Sequence, residues 1–416
     1  MERPKADIRM RGFRDRMEVS RFQALVRERV PVPESGPAWR ETVPLAGCAG
    51  RVLAEPVRAA VSVPGFIRSS MDGYALRSEE TFGAGPYNPL KFRVIGEVTP
   101  GREFAGTVGP GEAVRIMTGA PLPAGADAVL MAENVRESGG VMEASDAVPP
   151  GKNTGRIGED IRQGDVVLPA GRRLRPQDVG VLASIGVAQV PVRRQPRVTL
   201  LITGNELLKP GEMPRGAMIV DSNSLMLEAL VRRDGGIPSQ TLHLPDDRGK
   251  IGAALAHAPG DLLVTSGGTS VGVEDHAPGL IAELGELLVH GVAMRPSAPT
   301  GFGWVAGRPV FLLPGNPVSC LAAYDFFVGL AVRRLAGLPE AWPYRQARLP
   351  LRDRISSQIG RVDYARVRIE SGQAILIATS GASILSSTTQ ADGFVVVPQD
   401  LEGYPAGATV DVWLYD

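Results

Sequence analysis

Alternating strand and helix patterns between residues 198 and 332 predict a doubly wound α/β domain, and two β-rich regions flank it. The runs Val198–Thr203, Ser239–Leu244 and Leu262–Thr265 have the character of sheet strands, and helical patterns lie between them. Gly and Pro are dense and short β-type runs recur between about residues 64 and 156. Further β-type runs follow Pro339 and indicate a C-terminal β-barrel or sandwich. The predicted class is a multidomain α/β protein.

Composition excludes several classes of function. A chain of 416 residues suggests roughly two to four domains. Lys plus Arg equals Asp plus Glu, at 45 each, which argues against nucleic acid and anionic membranes as partners. Only Cys48 and Cys320 occur, so we expect no disulfide framework and a reducing, cytoplasmic location. No apolar run approaches the roughly 18 residues of a spanning helix, and the N-terminus lacks an apolar signal core.

The order of these patterns suggests where the domains begin and end. The first residues are mixed in charge and typical of a flexible tail, and apolar residues at helical spacing follow from Met17 to Val30. Strand and helix patterns at Asp165–Leu168 and Pro176–Ile185 resume the character of that N-terminal portion. We therefore predict the following division: tail 1–16, discontinuous N-terminal domain 17–60 with 157–193, inserted β-rich domain 61–156, α/β domain 194–340 and C-terminal β-barrel domain 341–416.

Two Gly-rich turns in the α/β domain predict an anion-binding crevice. The strand-like run Leu262–Thr265 leads to Gly267 and Gly268, where a sharp turn brings backbone N–H groups close to a phosphate or similar oxyanion. The run Val310–Leu313 leads to the rigid turn Pro314-Gly315-Asn316-Pro317, ahead of a helical pattern. Since ligands bind at the carboxyl ends of parallel strands, we expect one shared crevice, to which Asp275 adds a carboxylate.

Four further polar residues are candidates whose structural explanations stay open. Asp72 precedes a Gly and fits an ordinary turn, and Thr118 lies in a loop that Pro ends. Asp160 also lies near a turn. Glu206 follows the first strand of the α/β domain and fits the same crevice as Asp275, although taken alone it fits the N-terminus of a helix about twice as well.

Taken together, the motifs resemble the molybdopterin molybdenumtransferase family, which includes MoeA and the gephyrin E domain. The motifs that carry the resemblance occur in order: Ser70-Met-Asp-Gly-Tyr-Ala75, Met117-Thr-Gly-Ala-Pro121, Gly158-Glu-Asp-Ile161, Thr203-Gly-Asn-Glu-Leu207, Ser266-Gly-Gly-Thr-Ser-Val-Gly272 and Leu313-Pro-Gly-Asn-Pro-Val-Ser319. The resemblance implies an elongated homodimer with an active site between subunits, a MogA-like α/β domain and a C-terminal β-barrel.

The resemblance also implies an activity. Adenylylated molybdopterin is bound, its phosphoanhydride is cleaved with Mg²⁺, and molybdate is inserted to give molybdenum cofactor. Partners implied are the pterin substrate, the upstream molybdopterin adenylyltransferase and the recipient molybdoenzymes. By position, the catalytic candidates are Asp275, Asp246, Glu206, Asp72, Thr118 and Asp160, of which the first three are the metal candidates. The implied substrate contacts are Gly267, Gly268, Ser270, Pro314, Gly315, Asn316, Pro317, Arg295 and Arg366.

Departures from the family fall where the oxyanion is expected. Many members have Met-Lys-Pro-Gly-Lys-Pro where this chain has Met294-Arg-Pro-Ser-Ala-Pro299, so Arg295 keeps a cation and Ala298 removes one. Another family Lys aligns near Gly291, a family Ser near Ala382, and Asn205 replaces the commoner Asp. Three functions therefore stay open: a molybdenum insertase, a divergent paralogue that handles tungstate or carries cofactor, and a non-catalytic scaffold.

The histidine and cysteine residues predict no further metal or catalytic site. His243 and His257 fit structural or surface positions, and His276 has about one chance in three of contacting Asp275. Cys320 fits a small apolar group packed in a helix.

Overall fold

The computed structural model describes residues 16–34, 36–269 and 275–415. Contacts divide the chain into two compact units, residues 42–192 and residues 1–41 with 193–416. Residues 17–41 thus group with the α/β region, whereas the sequence analysis placed them with 157–193. The discontinuous N-terminal domain stays a prediction. Within the part of the chain described, no helix is both long and apolar enough to cross a membrane.

The unit of residues 42–192 is mostly β-structure. Its main sheet has six strands, in the spatial order Ala128–Met131, Gly73–Leu76, Glu112–Ile116, Leu90–Val98, Val141–Ala144 and Val135–Ser138. Three two-stranded ribbons pair Arg68–Ser69 with Thr154–Gly155, Val57–Arg58 with Val166–Leu168, and Arg40–Pro44 with Gln189–Arg193. The helix Pro176–Ser184 begins with Pro at its first position, where the missing N–H costs no hydrogen bond.

The other unit is built on a second six-stranded sheet. The spatial order is Ile237–Leu244, Arg197–Thr203, Leu262–Ser266, Arg308–Leu313, Gly301–Val305 and Gly285–His290. The first four strands run parallel to one another. Each of the last two pairs antiparallel with the strand before it in this order. The four parallel strands therefore end at one edge, where the sequence analysis expected the crevice.

Helices cover both faces of this sheet. Along Arg197–Thr203, Leu200 and Ile202 face one core and Leu201 faces the other, as the two-residue period of a strand requires. The helices of this unit are Val19–Arg29, Asn223–Arg233, Arg248–His257, Ala277–Leu284, Pro317–Ala323, Gly329–Ala336 and Ser386–Thr389. A π-helical segment, Tyr324–Val328, lies between the helices Pro317–Ala323 and Gly329–Ala336, where the sequence analysis expected a helical pattern.

The first helix packs in the larger of these cores. Val19, Phe22 and Val26 are buried there, and the ring of Phe22 stacks on Phe327 with centroids 4.1 Å apart. The apolar spacing that predicted the helix also supplies its buried face.

The C-terminal part forms a third sheet in the same unit. Its strands follow the order Met294–Arg295, Val362–Glu370, Gly393–Val397, Thr409–Leu414 and Arg345–Pro350, while Gln373–Ala378 pairs with the second of them. A single bridge joins Leu351 to Ala374. A short ribbon pairs Ile355–Ser356 with Gly403–Tyr404, and another, in the α/β part, pairs Leu207–Leu208 with Ile219–Val220.

Candidate active site

A cavity of about 560 Å³ lies where the parallel strands end. The residues after all four parallel strands contribute to its wall: Gly204 follows Thr203, Asp246 follows the strand that ends at Leu244, and the turns at Gly267 and Pro314 follow the other two. The topology therefore brings together segments that are far apart in the sequence. This placement is typical of ligand sites in doubly wound sheets.

The two predicted turns lie side by side in the cavity wall. Gly267 has φ +91°, and a Cβ there would lie 2.2 Å from the carbonyl oxygen of Thr203, so the chain requires Gly at this position. The Gly267 N–H donates to Leu313 O at 3.2 Å. A Cβ on Gly315 would meet the Gly267 Cα at 3.5 Å, which shows how closely the turns approach.

Three predicted acidic residues line the same cavity: Glu206, Asp246 and Asp275. Asp246 Oδ2 accepts a hydrogen bond from Asn205 N at 3.0 Å, and Asn205 Oδ1 accepts from Asp246 N at 3.2 Å. Glu206 O accepts from Ile219 N at 2.9 Å, next to the ribbon that pairs Leu207–Leu208 with Ile219–Val220. The cavity wall therefore contains both carboxylates and turn backbone.

The acidic residues fit Mg²⁺ only with help from a ligand. Among the described residues, no group of three or more His, Cys, Asp or Glu side chains is arranged to hold a metal. Mg²⁺ commonly takes one or two carboxylates and completes its shell with water and substrate phosphates. Carboxylates from Glu206, Asp246 and Asp275 in one cavity supply that partial oxygen set. Ser270, a predicted substrate contact, lies outside the described residues.

The sequence analysis missed a hydrogen-bonded cluster in the cavity wall. Asp221 and Asn223 both line the cavity and are almost fully buried, at the start of the helix Asn223–Arg233. His243 Nε2 lies 2.8 Å from Asp221 Oδ2, so this His contacts a buried carboxylate at the cavity wall. The motif Asp221-Ser-Asn223 was the available signal, because Asp and Asn before a helical run mark a helix start.

Asp72 and Thr118 are brought together in the other unit. Asp72 Oδ1 accepts hydrogen bonds from the Thr118 N–H at 2.7 Å and from the Thr118 hydroxyl at 2.9 Å. The backbone N–H bond, followed by the hydroxyl, lowers the pKa of the Asp72 carboxyl below its ordinary value. Both residues are exposed, so the pair is open to a ligand. Asp160 is also exposed, and its N–H donates to Val63 O at 3.1 Å.

Arg295 lies on the strand Met294–Arg295, which pairs with Val362–Glu370. Its guanidinium donates to the buried carboxylate of Asp363, which also accepts from Arg361 Nε at 3.1 Å. About a third of the Arg295 side chain stays exposed. The cation predicted to meet an oxyanion therefore already has an anionic partner.

Arg366 is fully buried, and its guanidinium donates to Ser380 O. Its Nε and Nη1 have no hydrogen-bond partner among the described residues. Burial lowers the pKa of Arg366 below its ordinary value. The Ser380 loop continues to Ser383, which lines the cavity and donates to Asn316 Oδ1 at 3.2 Å. The departure at Ala382 lies in this loop, where Ala382 O accepts from Val318 N at 2.9 Å.

Comparison with known proteins covers nearly the whole chain. Residues 17–186 match the family model of the MoeA N-terminal region (domains I and II), residues 199–334 that of the probable molybdopterin binding domain, and residues 348–415 that of the MoeA C-terminal region (domain IV). Molybdopterin molybdenumtransferase 2 of Mycobacterium tuberculosis is 37% identical over 388 residues, covering 89% of this chain and 94% of the relative.

Two further relatives agree. The molybdopterin molybdenumtransferase of Staphylococcus aureus is 34% identical over 382 residues, covering 90% of each chain. The crystal structure of the MoeA molybdopterin biosynthesis protein from Pyrococcus horikoshii superposes with a TM-score of 0.80 at 34% identity, covering 96% of this chain and all of that one. Both the sequence and the multidomain α/β fold lead to one conclusion: the chain belongs to the molybdopterin molybdenumtransferase (MoeA) family.

Proposed function

We propose that this protein is a molybdopterin molybdenumtransferase, which cleaves adenylylated molybdopterin and inserts molybdate to give molybdenum cofactor. The main support for the proposal is the cavity that both Gly-rich turns line. It combines two closely spaced turns with the carboxylates of Glu206, Asp246 and Asp275. A phosphoanhydride needs donors for its oxygens and carboxylates to orient the attacking water and neutralising cation. Relatives named for this transferase activity cover about nine-tenths of the chain.

Each wall of the cavity has a proposed role. The turns at Gly267–Gly268 and Pro314–Pro317 hold the phosphates, with Ser270 as a further contact. Asp275, which is half-buried, would orient water for attack on the phosphoanhydride, and Asp275, Glu206 and Asp246 would together bind the cation. A bound Mg²⁺ would supply charge neutralisation to the phosphates. The roles of the described residues rest on their position in the cavity and on the chemistry of the side chains, and that of Ser270 rests on its place in the motif.

The oxyanion is assigned to arginine. The Nε and Nη1 nitrogens of Arg366 carry N–H groups that have no hydrogen-bond partner among the described residues, and such buried donors favour a tetrahedral oxyanion close by. Arg295 is the second proposed contact. Its ion pair with Asp363 favours one alternative, a paralogue that carries finished cofactor, since any oxyanion must compete with a resident carboxylate.

The proposal extends to assembly. The protein is proposed to form an elongated homodimer whose active site lies between the subunits. The further catalytic candidates at that site are Asp72, Thr118 and Asp160. The upstream adenylyltransferase and recipient molybdoenzymes are proposed partners, and the cytoplasm is the proposed location. We also propose that the C-terminal sheet is a β-barrel, supported by its succession of paired strands and the bridge from Leu351 to Ala374.

One assay tests the function and separates it from the alternative. The purified full-length protein is given adenylylated molybdopterin and Mg²⁺ with graded molybdate or tungstate, and AMP release and cofactor formation are followed together. An insertase forms cofactor in proportion to AMP at saturating molybdate. AMP release without insertion of either oxyanion contradicts the insertase, insertion of tungstate alone supports the divergent paralogue, and no AMP release supports a scaffold.

A further inference from the structure

The start of the helix Asn223–Arg233 is held by a carboxylate one residue before its assigned N-cap. Its N-cap, Ser222, makes no side-chain capping bond. Instead Asp221 Oδ1 accepts from the backbone N–H groups of Asn223 at 2.9 Å and of Ser224 at 3.0 Å. The Asp221 side chain is only 1% exposed. The first turn of the helix is therefore fixed by a buried carboxylate at the cavity wall.

His243 holds that carboxylate from the neighbouring strand. Its Nε2 is 2.8 Å from Asp221 Oδ2, and the two residues lie on segments that are far apart in the sequence. A carboxylate only accepts hydrogen bonds, so the His243 Nε2–H is the donor. One oxygen of the Asp221 carboxylate thus binds the start of the helix, and the other binds a residue of the sheet.

Asn223 uses this fixed position to join the two Gly-rich turns. Its Nδ2 donates to Gly315 O at 2.7 Å and to Ser266 Oγ at 2.9 Å. Gly315 belongs to one turn, and Ser266 immediately precedes Gly267 of the other. Because a carbonyl cannot donate, the amide nitrogen must face Gly315, and the Oδ1 is left buried without a partner in the described residues.

We propose that Asn223, oriented by Asp221 and His243, is a positioning residue that sets the spacing between the two turns that hold the phosphoanhydride. This inference rests on the proposed function. The amide is the bridge: one Nδ2 contacts both turns, so losing its N–H groups frees each turn from the other at this point. The turns then hold the substrate less well, while Asp275 and the other carboxylates keep their places.

The substitution Asn223→Asp isolates the amide donors. It keeps the shape of the side chain but sets a carboxylate against the Gly315 carbonyl, and neither can donate. The matched control is Asn205→Asp, which adds the same charge close to Asp246 but keeps an oxygen to accept from the Asp246 N–H at 3.2 Å. We expect the KM for adenylylated molybdopterin to rise about tenfold in N223D with kcat within about threefold, and N205D to show a smaller change in KM.

Two more measurements make the test sharp. Hydrogen exchange of peptides that cover the two turns should be at least about tenfold faster in N223D than in N205D. Two substitutions test His243. H243A should raise the KM for adenylylated molybdopterin, whereas H243Q, whose amide can still donate to Asp221, should keep the KM close to that of the unsubstituted protein.

The outcomes separate the positioning role from the function. Equal KM values in N223D and N205D, or unchanged exchange at both turns, overturn the positioning role. Faster exchange with an unchanged KM overturns it as well, because the bridge would then be structural only. No turnover in the unsubstituted protein contradicts the proposed function itself, and exchange still reports whether the bridge exists.

Discussion

Arg295 and Asp363 form an ion pair in which the carboxylate is fully buried and about a third of the arginine side chain is exposed. Asp363 also holds Arg361, so one negative charge faces two cations. At the site proposed to bind molybdate, the Asp363 carboxylate thus competes with molybdate for the Arg295 guanidinium. The strength of that competition is testable, because Asn has almost the shape of Asp and no charge.

Asp363→Asn is expected to lower the molybdate concentration for half-maximal cofactor formation about fivefold, the effect of about 1 kcal/mol at a partly exposed site. The measurement is cofactor formation against molybdate at fixed adenylylated molybdopterin. Asp353→Asn is the control, since Asp353 is about half exposed and pairs with Arg352 instead. An equal or higher molybdate requirement in D363N would show that Asp363 does not compete with the oxyanion.

Neither cysteine should react in the native protein. Cys48 and Cys320 are fully buried, and burial raises the pKa of the Cys320 thiol to about 12 and that of Cys48 above its ordinary value. Thiolate is the reactive form, so a thiol reagent at neutral pH should modify neither within minutes. After unfolding in urea, both should react. A fast-reacting thiol in the folded protein would contradict the burial of one of them.

Asp178 should make stability depend on pH. This buried carboxylate accepts from Arg172 Nη2 at 2.8 Å and from Arg175 N at 2.9 Å, and the Arg172 contact is the main cause that lowers its pKa. A lowered pKa in the folded state stabilises the fold fully above the unfolded pKa of about 3.9, and the contribution is lost as pH falls further.

Asp178→Asn is therefore expected to lower the free energy of unfolding by about 2 kcal/mol at pH 7. The difference from the unsubstituted protein should be the same at pH 5 and should shrink below about pH 4. Urea unfolding at three pH values measures it. Asp165→Asn is the control, because this carboxylate is exposed and its loss should lower the free energy of unfolding by less than about 1 kcal/mol. A constant difference down to pH 3 would rule out the ionised carboxylate as the cause.

Local pattern was enough to predict the turns of the cavity. The apolar run that ends before Gly267 and the rigid turn from Pro314 each depend on a few neighbouring residues, and the parallel order of strands brings them to one edge. The strand Leu262–Ser266 lies within one residue of its predicted bounds. Such features are coded by short segments of chain, which is why sequence alone predicts them.

Contacts between distant segments were not predictable in the same way. The partner of Arg295 depends on a parallel register that pairs it with a residue 68 positions away. The bond between His243 and Asp221 depends on which strand neighbours the helix start, and periodicity alone gives only the face of each element. A side chain with an ordinary pattern, such as His243, therefore gains its role only in the folded protein.

The proposed role of Asp275 gives the sharpest prediction for the cavity. Asp275→Asn keeps the shape but loses the negative charge, so AMP release should fall at least about 100-fold while the melting temperature changes by less than about 2 °C. Asp247→Asn is the matched control, because Asp247 caps the helix Arg248–His257 through Lys250 N at 2.8 Å and Asn caps equally well. D247N should keep activity within about twofold. If D275N retains a third of the activity, the carboxylate neither orients water nor helps hold a cation, and the proposed catalytic assignment has to move to Glu206 or Asp246.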